Sequence, residues 1–517
     1  MENNPIIYSD FPDPDVIRVD DTYYMISTTM HFMPGGVILR SYDLVHWEIF
    51  TYVYDSLDDT PGQRLEGAAA VYGKGMWAAT LRRHKGIFYV CFVANDTKKT
   101  YLYTSKDITG PWKKQNIEGF YHDCSLLFDD DDRIYIVYGN AEIKLTELKA
   151  DLSGPKPDGL HRTIIKDSPG VRLGYEGSHI YKMNGIYYVF LIHWLADGSK
   201  RRVEACFCAK SLEGEFTGGD VFDDDIGFQN AGVAQGGIVD TPDGDWYAML
   251  FQDHGAVGRI PVLLPIRWEN GFPIFGADKK TPLYIEPKST RPDYKYRPLT
   301  GDDAFDYEPD ENGTVHLKEF WQWNHTPDNS LWSMTEKPGA FRLYSDKLCV
   351  NIVQAKNTLT QRMTGPACEM IVTVDGSGLK DGDYAGICAL QGCYGFIALT
   401  KASGKNYLVM TAKEMDPQES TWGEPGGDQK PGKEFERLPV TDDRITLKIR
   451  ADFKDGIDEA EFYYLDKTKW NKLGITHKLY FRLDHFVGCR VGLFLYSTMA
   501  AGGRADFDHF AYRTEGA

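Results

Sequence analysis

The chain has 517 residues, enough for two or more domains with separate cores. Its 57 Lys and Arg face 75 Asp and Glu, and the formal charge of −18 would repel nucleic acid and anionic membranes. No apolar run approaches the roughly 18 residues of a membrane span, so neither membrane nor nucleic acid is expected as a partner.

The amino terminus, MENNPIIYSD, lacks the basic-then-apolar layout of a secretory leader. A cytoplasmic location is expected, with an extracellular or periplasmic one open to a chain that has lost its leader. The nine cysteines are scattered, with only Cys206 and Cys208 close together. No C-x-x-C spacing points to zinc, so reduced thiols are expected. Aromatics reach 13%. Short β-branched and aromatic runs bounded by Gly, Pro, Asp and Asn predict an all-β protein.

The first notable stretch, DFPDPDVIRVDDTYYMIST, clamps Asp13 between Pro12 and Pro14. Proline fixes its own φ and pushes the preceding residue toward extended geometry, so this acid has little backbone freedom. The strand signal that follows, DDTYYMIST, returns as KGIFYVCFV, DDRIYIVYG, NGIYYVFLI and DGDWYAMLF. Each copy is a turn signal, one variable residue and an aromatic or apolar pair ending in tyrosine: Tyr24, Tyr89, Tyr135, Tyr188 and Tyr247. The intervals of 65, 46, 53 and 59 residues match a four-stranded sheet, and five such units predict a five-bladed β-propeller. Unrelated hairpins in a sandwich are the alternative.

Counting back eleven residues from Tyr24 gives Asp13. Counting back twelve from the others gives Trp77, Asp123, Glu176 and Gln235. Residues at matched offsets in a propeller converge on one mouth of the central channel. A lone acid before a hairpin commonly caps backbone N–H groups; three at matched offsets suggest chemistry. Carboxylates held together cannot all ionise freely, and a proton-carrying acid opposite an ionised base is what acetal hydrolysis requires. Trp77 would wall a sugar ring, and Gln235 would serve its hydroxyls.

FPDPDVIRV, HDCSLLFDDDDR and YEGSHIYKMNG, in that order, resemble glycoside hydrolase family 43 over about residues 4–280. The resemblance implies a five-bladed propeller and an inverting mechanism. It assigns Asp13 as general base, Asp123 as the residue tuning its neighbours, and Glu176 as general acid. It also implies that Arg259, in GAVGRIPVLLPIRWENGFP, turns into the channel, and that TTMHFMPGG closes the pocket with Phe32 as aromatic platform. His31 in that loop is less distinctive. His179 suits a supporting role, and His254 suits either the channel or a surface loop. Many family members carry a channel histidine that in some binds calcium or water; here Gln235 stands in that place, so no channel metal is expected. The acid runs at Asp129–Arg133 and Phe222–Gly227 lack a calcium-loop spacing and read as solvated turns. No cofactor is required on this reading, and no clear motif supports a structural calcium.

Three prolines from Pro287 to Pro298 mark a stiff linker. The domains are accordingly expected at 1–290, the catalytic propeller, and 300–517, an accessory β-sandwich. FWQWNHTPDNSLWSM and NTLTQRMTGP resemble the carboxy-terminal concanavalin-A-like domain found on β-xylosidases of this family. Trp321, Trp323 and Trp332 there suit core or interface packing better than a sugar platform. The combined expectation is an inverting, exo-acting hydrolase releasing pentoses from xylo- or arabinoxylo-oligosaccharides, as β-xylosidase, α-L-arabinofuranosidase or both. A non-catalytic sugar-binding protein and an endo-arabinanase are the alternatives.

Overall fold

Each of the five tyrosine-bearing signals folds as the second strand of a four-stranded antiparallel sheet. In this computed structural model, which describes residues 2–415 and 429–514, the five sheets span residues 15–54, 80–117, 125–166, 176–222 and 233–275. They are the blades of a five-bladed propeller. The turns before the signals explain the repetition. Lys85-Gly86 and Asn184-Gly185 both carry positive φ at the two central positions, the geometry that matches the twist of a tight hairpin.

The innermost strands pack against one another around the axis, and a buried carboxylate links them. Asp15 is fully buried and accepts hydrogen bonds from the Leu81 amide (2.8 Å), Arg82 Nη1 (2.7 Å) and His179 Nδ1 (3.2 Å). Arg82 continues to Ser125 Oγ (2.7 Å) and the Leu126 carbonyl (3.1 Å), so one network joins the first four blades. The fifth blade joins through the Gly237 amide, which donates to the Pro14 carbonyl at 3.0 Å. The ring closes without a shared strand. The amino-terminal segment runs along blade five, with Ile6 N donating to Pro261 O (3.1 Å) and Asn4 Nδ2 to Leu263 O (2.8 Å). Arg18 of blade one pairs with Asp240 of blade five.

The proline-rich segment is not a free spacer. It lies along blade one as a strap: Tyr294 donates to Glu48 Oε1 (2.6 Å), the Arg297 amide donates to Glu48 Oε2 (3.1 Å), and Thr290 N donates to Tyr42 O (2.8 Å). The acid runs also differ from expectation. Asp129 and Asp224 are buried anchors rather than solvated faces. Asp129 accepts from Tyr187 (2.6 Å) and pairs with Lys182; Asp224 accepts from the Thr281 amide (2.9 Å) and pairs with Lys280.

Beyond the strap two antiparallel sheets stack as a concanavalin-A-like sandwich. One runs from Gln322–Asn324 through Leu359–Arg362, Arg490–Ser497 and Asp383–Leu390 out to Lys433–Val440. The other centres on Arg504–Thr514, Ala367–Asp375 and Arg444–Asp452. Ile387, Leu399 and Leu493 of the first sheet belong to the same buried core as Met370, Val372 and Leu447 of the second. The first sheet does not stop at the domain border. Phe32–Met33, from the loop after the second strand of blade one, pairs with Gln322–Asn324 and becomes its edge strand. Two buried arginines line this junction: Arg362 lies 4.0 Å from the Phe11 ring centre and Arg490 lies 3.9 Å from that of Phe32.

Burial opposes ionisation of Asp15, but Arg82 and His179 outweigh it and hold its carboxyl at about 2. A depressed carboxyl contributes stability above its unfolded value, and this contribution is lost as pH falls toward 2. Asp15→Ala should therefore lower unfolding stability near neutrality by about 3–5 kcal/mol, because Arg82 is left buried without its counter-charge. A urea titration measures this, and an unchanged midpoint would show that the hub is dispensable.

Candidate active site

Asp13, Trp77, Asp123, Glu176, Gln235 and Arg259 line one narrow pocket of about 50 Å³ at the channel mouth. The backbone explains the convergence. Asp13, Asp123 and Gln235 all take left-handed φ, at 52°, 47° and 63°, and on blade four Gly177 beside Glu176 does so at 64°. The turned residue swings its side chain out of the strand face and into the channel. For a non-glycine residue this costs roughly 1–2 kcal/mol, which the surrounding hydrogen bonds offset. At position 177 an added Cβ would lie 2.7 Å from the Gln235 side chain, which would have to move from its place in the pocket. The extended geometry expected for Asp13 before Pro14 is not what the chain adopts. The carbonyls on both sides of Asp13 are tied down, Pro12 O by Ser27 Oγ (2.7 Å) and Pro14 O by Gly237 N (3.0 Å), and the residue between them turns left-handed.

Asp13 is held at both oxygens. Arg259 Nη1 donates to Oδ1 at 2.9 Å and Thr28 Oγ1 to Oδ2 at 2.6 Å. Arg259 Nε and Nη2 are buried and make no other hydrogen bond, which leaves donors for a bound molecule. Asp123 accepts from the Gly177 amide (3.1 Å), and Glu176 receives the Asn140 amide and lies 3.4 Å from His122 Nε2. His122 stands between the two acids, with Nδ1 3.7 Å from Asp123 Oδ1. Burial pushes the Asp123 carboxyl up to about 7, with Glu176 and Asp13 adding to the effect and His122 opposing it. Burial disfavours the His122 cation, but Asp123 and Glu176 outweigh it and raise this ring to about 9. The cluster thus stores more protons at neutral pH than its separated members would. His122, Asp123 and Glu176 are also the one group among the described residues whose donor atoms, within 4.8 Å of one another, could hold a metal ion.

The remaining expected residues fall elsewhere. Phe32 is 1% exposed and sits in the interdomain sheet under Arg490, so it does not line the pocket. The aromatic wall comes instead from Phe486 of the sandwich, whose ring lies 5.4 Å from that of Trp77 and 4.4 Å from the Arg259 guanidinium. Asp10 couples these parts: its two oxygens accept from the Arg259 amide and the Gly488 amide, both at 2.9 Å. His31 is buried against Tyr72 and His325 at the same junction. His179 supports the Asp15 hub. His254 is buried, stacked 3.6 Å from Phe228 and bonded to Tyr8 (2.7 Å), and lies outside the pocket. Gln235 lines the pocket while its amide is held by Glu204 (2.7 Å), a buried acid whose carboxyl burial pushes well up.

The profile of the glycosyl hydrolases family 43 matches residues 2–273. The chain belongs to glycosyl hydrolase family 43. A β-xylosidase carboxy-terminal concanavalin-A-like profile matches residues 310–513. A β-xylosidase of Formosa agariphila is 29% identical over 99% of this chain and 90% of its own length. A non-reducing-end α-L-arabinofuranosidase of Bacteroides ovatus is 29% identical over 66% of this chain and 64% of its own. The solved structure of a bifunctional GH43-CE protein of Bacteroides eggerthii is 40% identical with a TM-score of 0.89, covering 99% of this chain. This chain spans 63% of that longer protein. The protein is therefore a glycoside hydrolase with a propeller that carries the acids and a sandwich that completes their pocket.

Sequence reasoning missed His122, Arg202 and Phe486, which line the pocket, and Asn140, which bonds Glu176. His122 adjoins Asp123 inside a quoted motif and was open to discovery; Phe486, in LDHFVGCR, carries no local signal. Replacing His122 by Asn removes the cation that lowers the proton affinity of Asp123. The alkaline limb of the kcat/KM profile should then move to higher pH, and an unshifted limb would show that His122 does not tune the acids. Phe486→Ala should raise KM about tenfold, the loss of roughly 1.4 kcal/mol of ring contact, with the fold intact by circular dichroism.

Proposed function

We propose that this family 43 enzyme is an inverting, exo-acting pentosidase that removes xylose or arabinose from the non-reducing ends of xylan- or arabinoxylan-derived oligosaccharides. One observation carries the reading: three carboxylates from three blades share a pocket too narrow for a chain segment, walled by Trp77 and Phe486. The names borne by the relatives support the pentose. Xylopyranosides and arabinofuranosides present similar hydroxyl patterns, so one pocket serves both.

In this mechanism Glu176 donates its proton to the glycosidic oxygen as the bond to the anomeric carbon breaks. Asp13 accepts a proton from a water that attacks the same carbon from the opposite face, and the product leaves with inverted configuration. Arg259 and Thr28 fix the Asp13 carboxylate over that water, so little reorganisation precedes attack. Asp123, with its raised affinity for a proton, sits against the backbone of the donor strand and sets the charge that Glu176 experiences. The chemistry needs no cofactor.

A panel of 4-nitrophenyl glycosides tests substrate and activity together. Release from β-D-xylopyranoside or α-L-arabinofuranoside is expected, and release from neither would favour a sugar-binding protein. Asp13→Asn and Glu176→Gln should each lower kcat by roughly 10²–10⁴-fold, and Asp123→Asn by less. With a dinitrophenyl leaving group, which departs without a proton, Glu176→Gln should recover and Asp13→Asn should not. The opposite pattern would exchange the two assignments.

A further inference from the structure

The catalytic pocket accepts a chain end but offers little surface to hold a polymer. A second and much larger crevice, about 670 Å³, opens where blade one meets the sandwich and shares no lining residue with the catalytic pocket. Its sides are Tyr52 of blade one, Trp323 and Trp332 of the sandwich, and the segment 313–319.

The half-buried Trp332 ring is held in place twice. Its Nε1 donates to Asn329 Oδ1 at 2.9 Å, and it packs on Trp323 with centroids 5.0 Å apart and planes at 44°. The 313–319 wall is tethered to the propeller, since Tyr52 donates to the Glu319 carbonyl at 2.6 Å. The charges at the rim are largely spent. Lys318 pairs with Asp303, Glu319 with Arg297, and His316 with Asp310. Asp55, also in the lining, is the exception, so an anionic ligand would find little to pair with. A neutral, polyhydroxylated ligand would find the partly exposed rings of Trp332 and Tyr52 for its C–H surfaces, with buried Trp323 backing Trp332, and the hydroxyl and amide groups of Ser333, Thr335 and Asn329 for its oxygens.

We propose that this crevice is a secondary binding site for a β-1,4-xylan chain, holding polymer while the catalytic pocket works on free ends. The choice of xylan rests on the pentosidase reading; the crevice itself does not. Affinity electrophoresis of the full chain in native gels containing soluble arabinoxylan tests it. The comparison takes wild type, Trp332→Ala, and Thr335→Arg, which pushes a charged side chain into the crevice from an exposed position.

Wild type should be retarded, and both variants should migrate as in polymer-free gels. Both should still hydrolyse aryl pentosides within twofold of wild type. An unretarded wild type, or two variants retarded as strongly as wild type, would overturn the site. Equal retardation in hydroxyethylcellulose would overturn its assignment to xylan. Loss of aryl pentoside hydrolysis by wild type with retardation intact would instead remove the pentosidase reading and leave the crevice standing. Should Trp332→Ala fail to fold, Thr335→Arg carries the same comparison alone.

Discussion

The ion pair of Asp15 and Arg82 at the propeller axis is the contact on which the catalytic geometry depends. A five-bladed ring has no single core; its blades meet face to face, and any relative slip would move the acids that each contributes. Asp15 follows Asp13 by two residues, and His179, which bonds it, follows Glu176 by three. Ser125, the far end of the Arg82 contacts, follows Asp123 by two. The hub therefore pins the strands that carry Asp13, Asp123 and Glu176 just below the pocket. Two ions buried together contribute little net stability relative to apolar packing. What this pair provides is registry, because no hydrophobic side chain could bond four blades at fixed angles.

The sandwich has a similar logic. Its sheet recruits Phe32–Met33 from blade one, so the domain border is a β-ladder and not a hinge. Asp10 then ties the Arg259 backbone to Gly488, two residues past Phe486. An added Cβ at Gly488 would lie 2.2 Å from the Val257 carbonyl, so the close approach that delivers Phe486 to the pocket requires glycine there. A pocket built this way is incomplete without the second domain. That is a physical reason for the two to travel as one chain.

Much of the architecture was legible because it repeats. Five tyrosine signals predicted five blades, and matched offsets brought Asp13, Asp123, Glu176, Trp77 and Gln235 to one pocket. The offsets worked because left-handed backbone recurs at three of those positions and beside a fourth, a periodicity that leaves its mark in spacing. Phe32 was misplaced for the converse reason. An aromatic in a loop near the channel has two destinations, and the one it takes is fixed by Asn324, almost three hundred residues away. Phe486 was invisible on the same ground, as were Asp129 and Asp224, whose partners Lys182 and Lys280 lie 53 and 56 residues away in the chain. Long-range pairing has no local signature.

Charge explains how three acids share so small a space. The chain carries −18 overall, yet Arg259, Arg202 and His122 line the same pocket as Asp13, Asp123 and Glu176. Arg259 is committed to Asp13, Arg202 to Asp253 at 2.7 Å, and His122 to the other two acids. For Asp123 and His122, burial and near neighbours, not the surface field, set the proton affinity. The raised Asp123 and the raised His122 are two sides of one arrangement, in which burial and neighbouring charge keep protons in the pocket. A hydrolase that must protonate one oxygen and deprotonate another within a single pocket needs its acids close but unequal. The acids here differ in the cation each faces: a permanent one, Arg259, at Asp13, and a titratable one, His122, at Asp123 and Glu176.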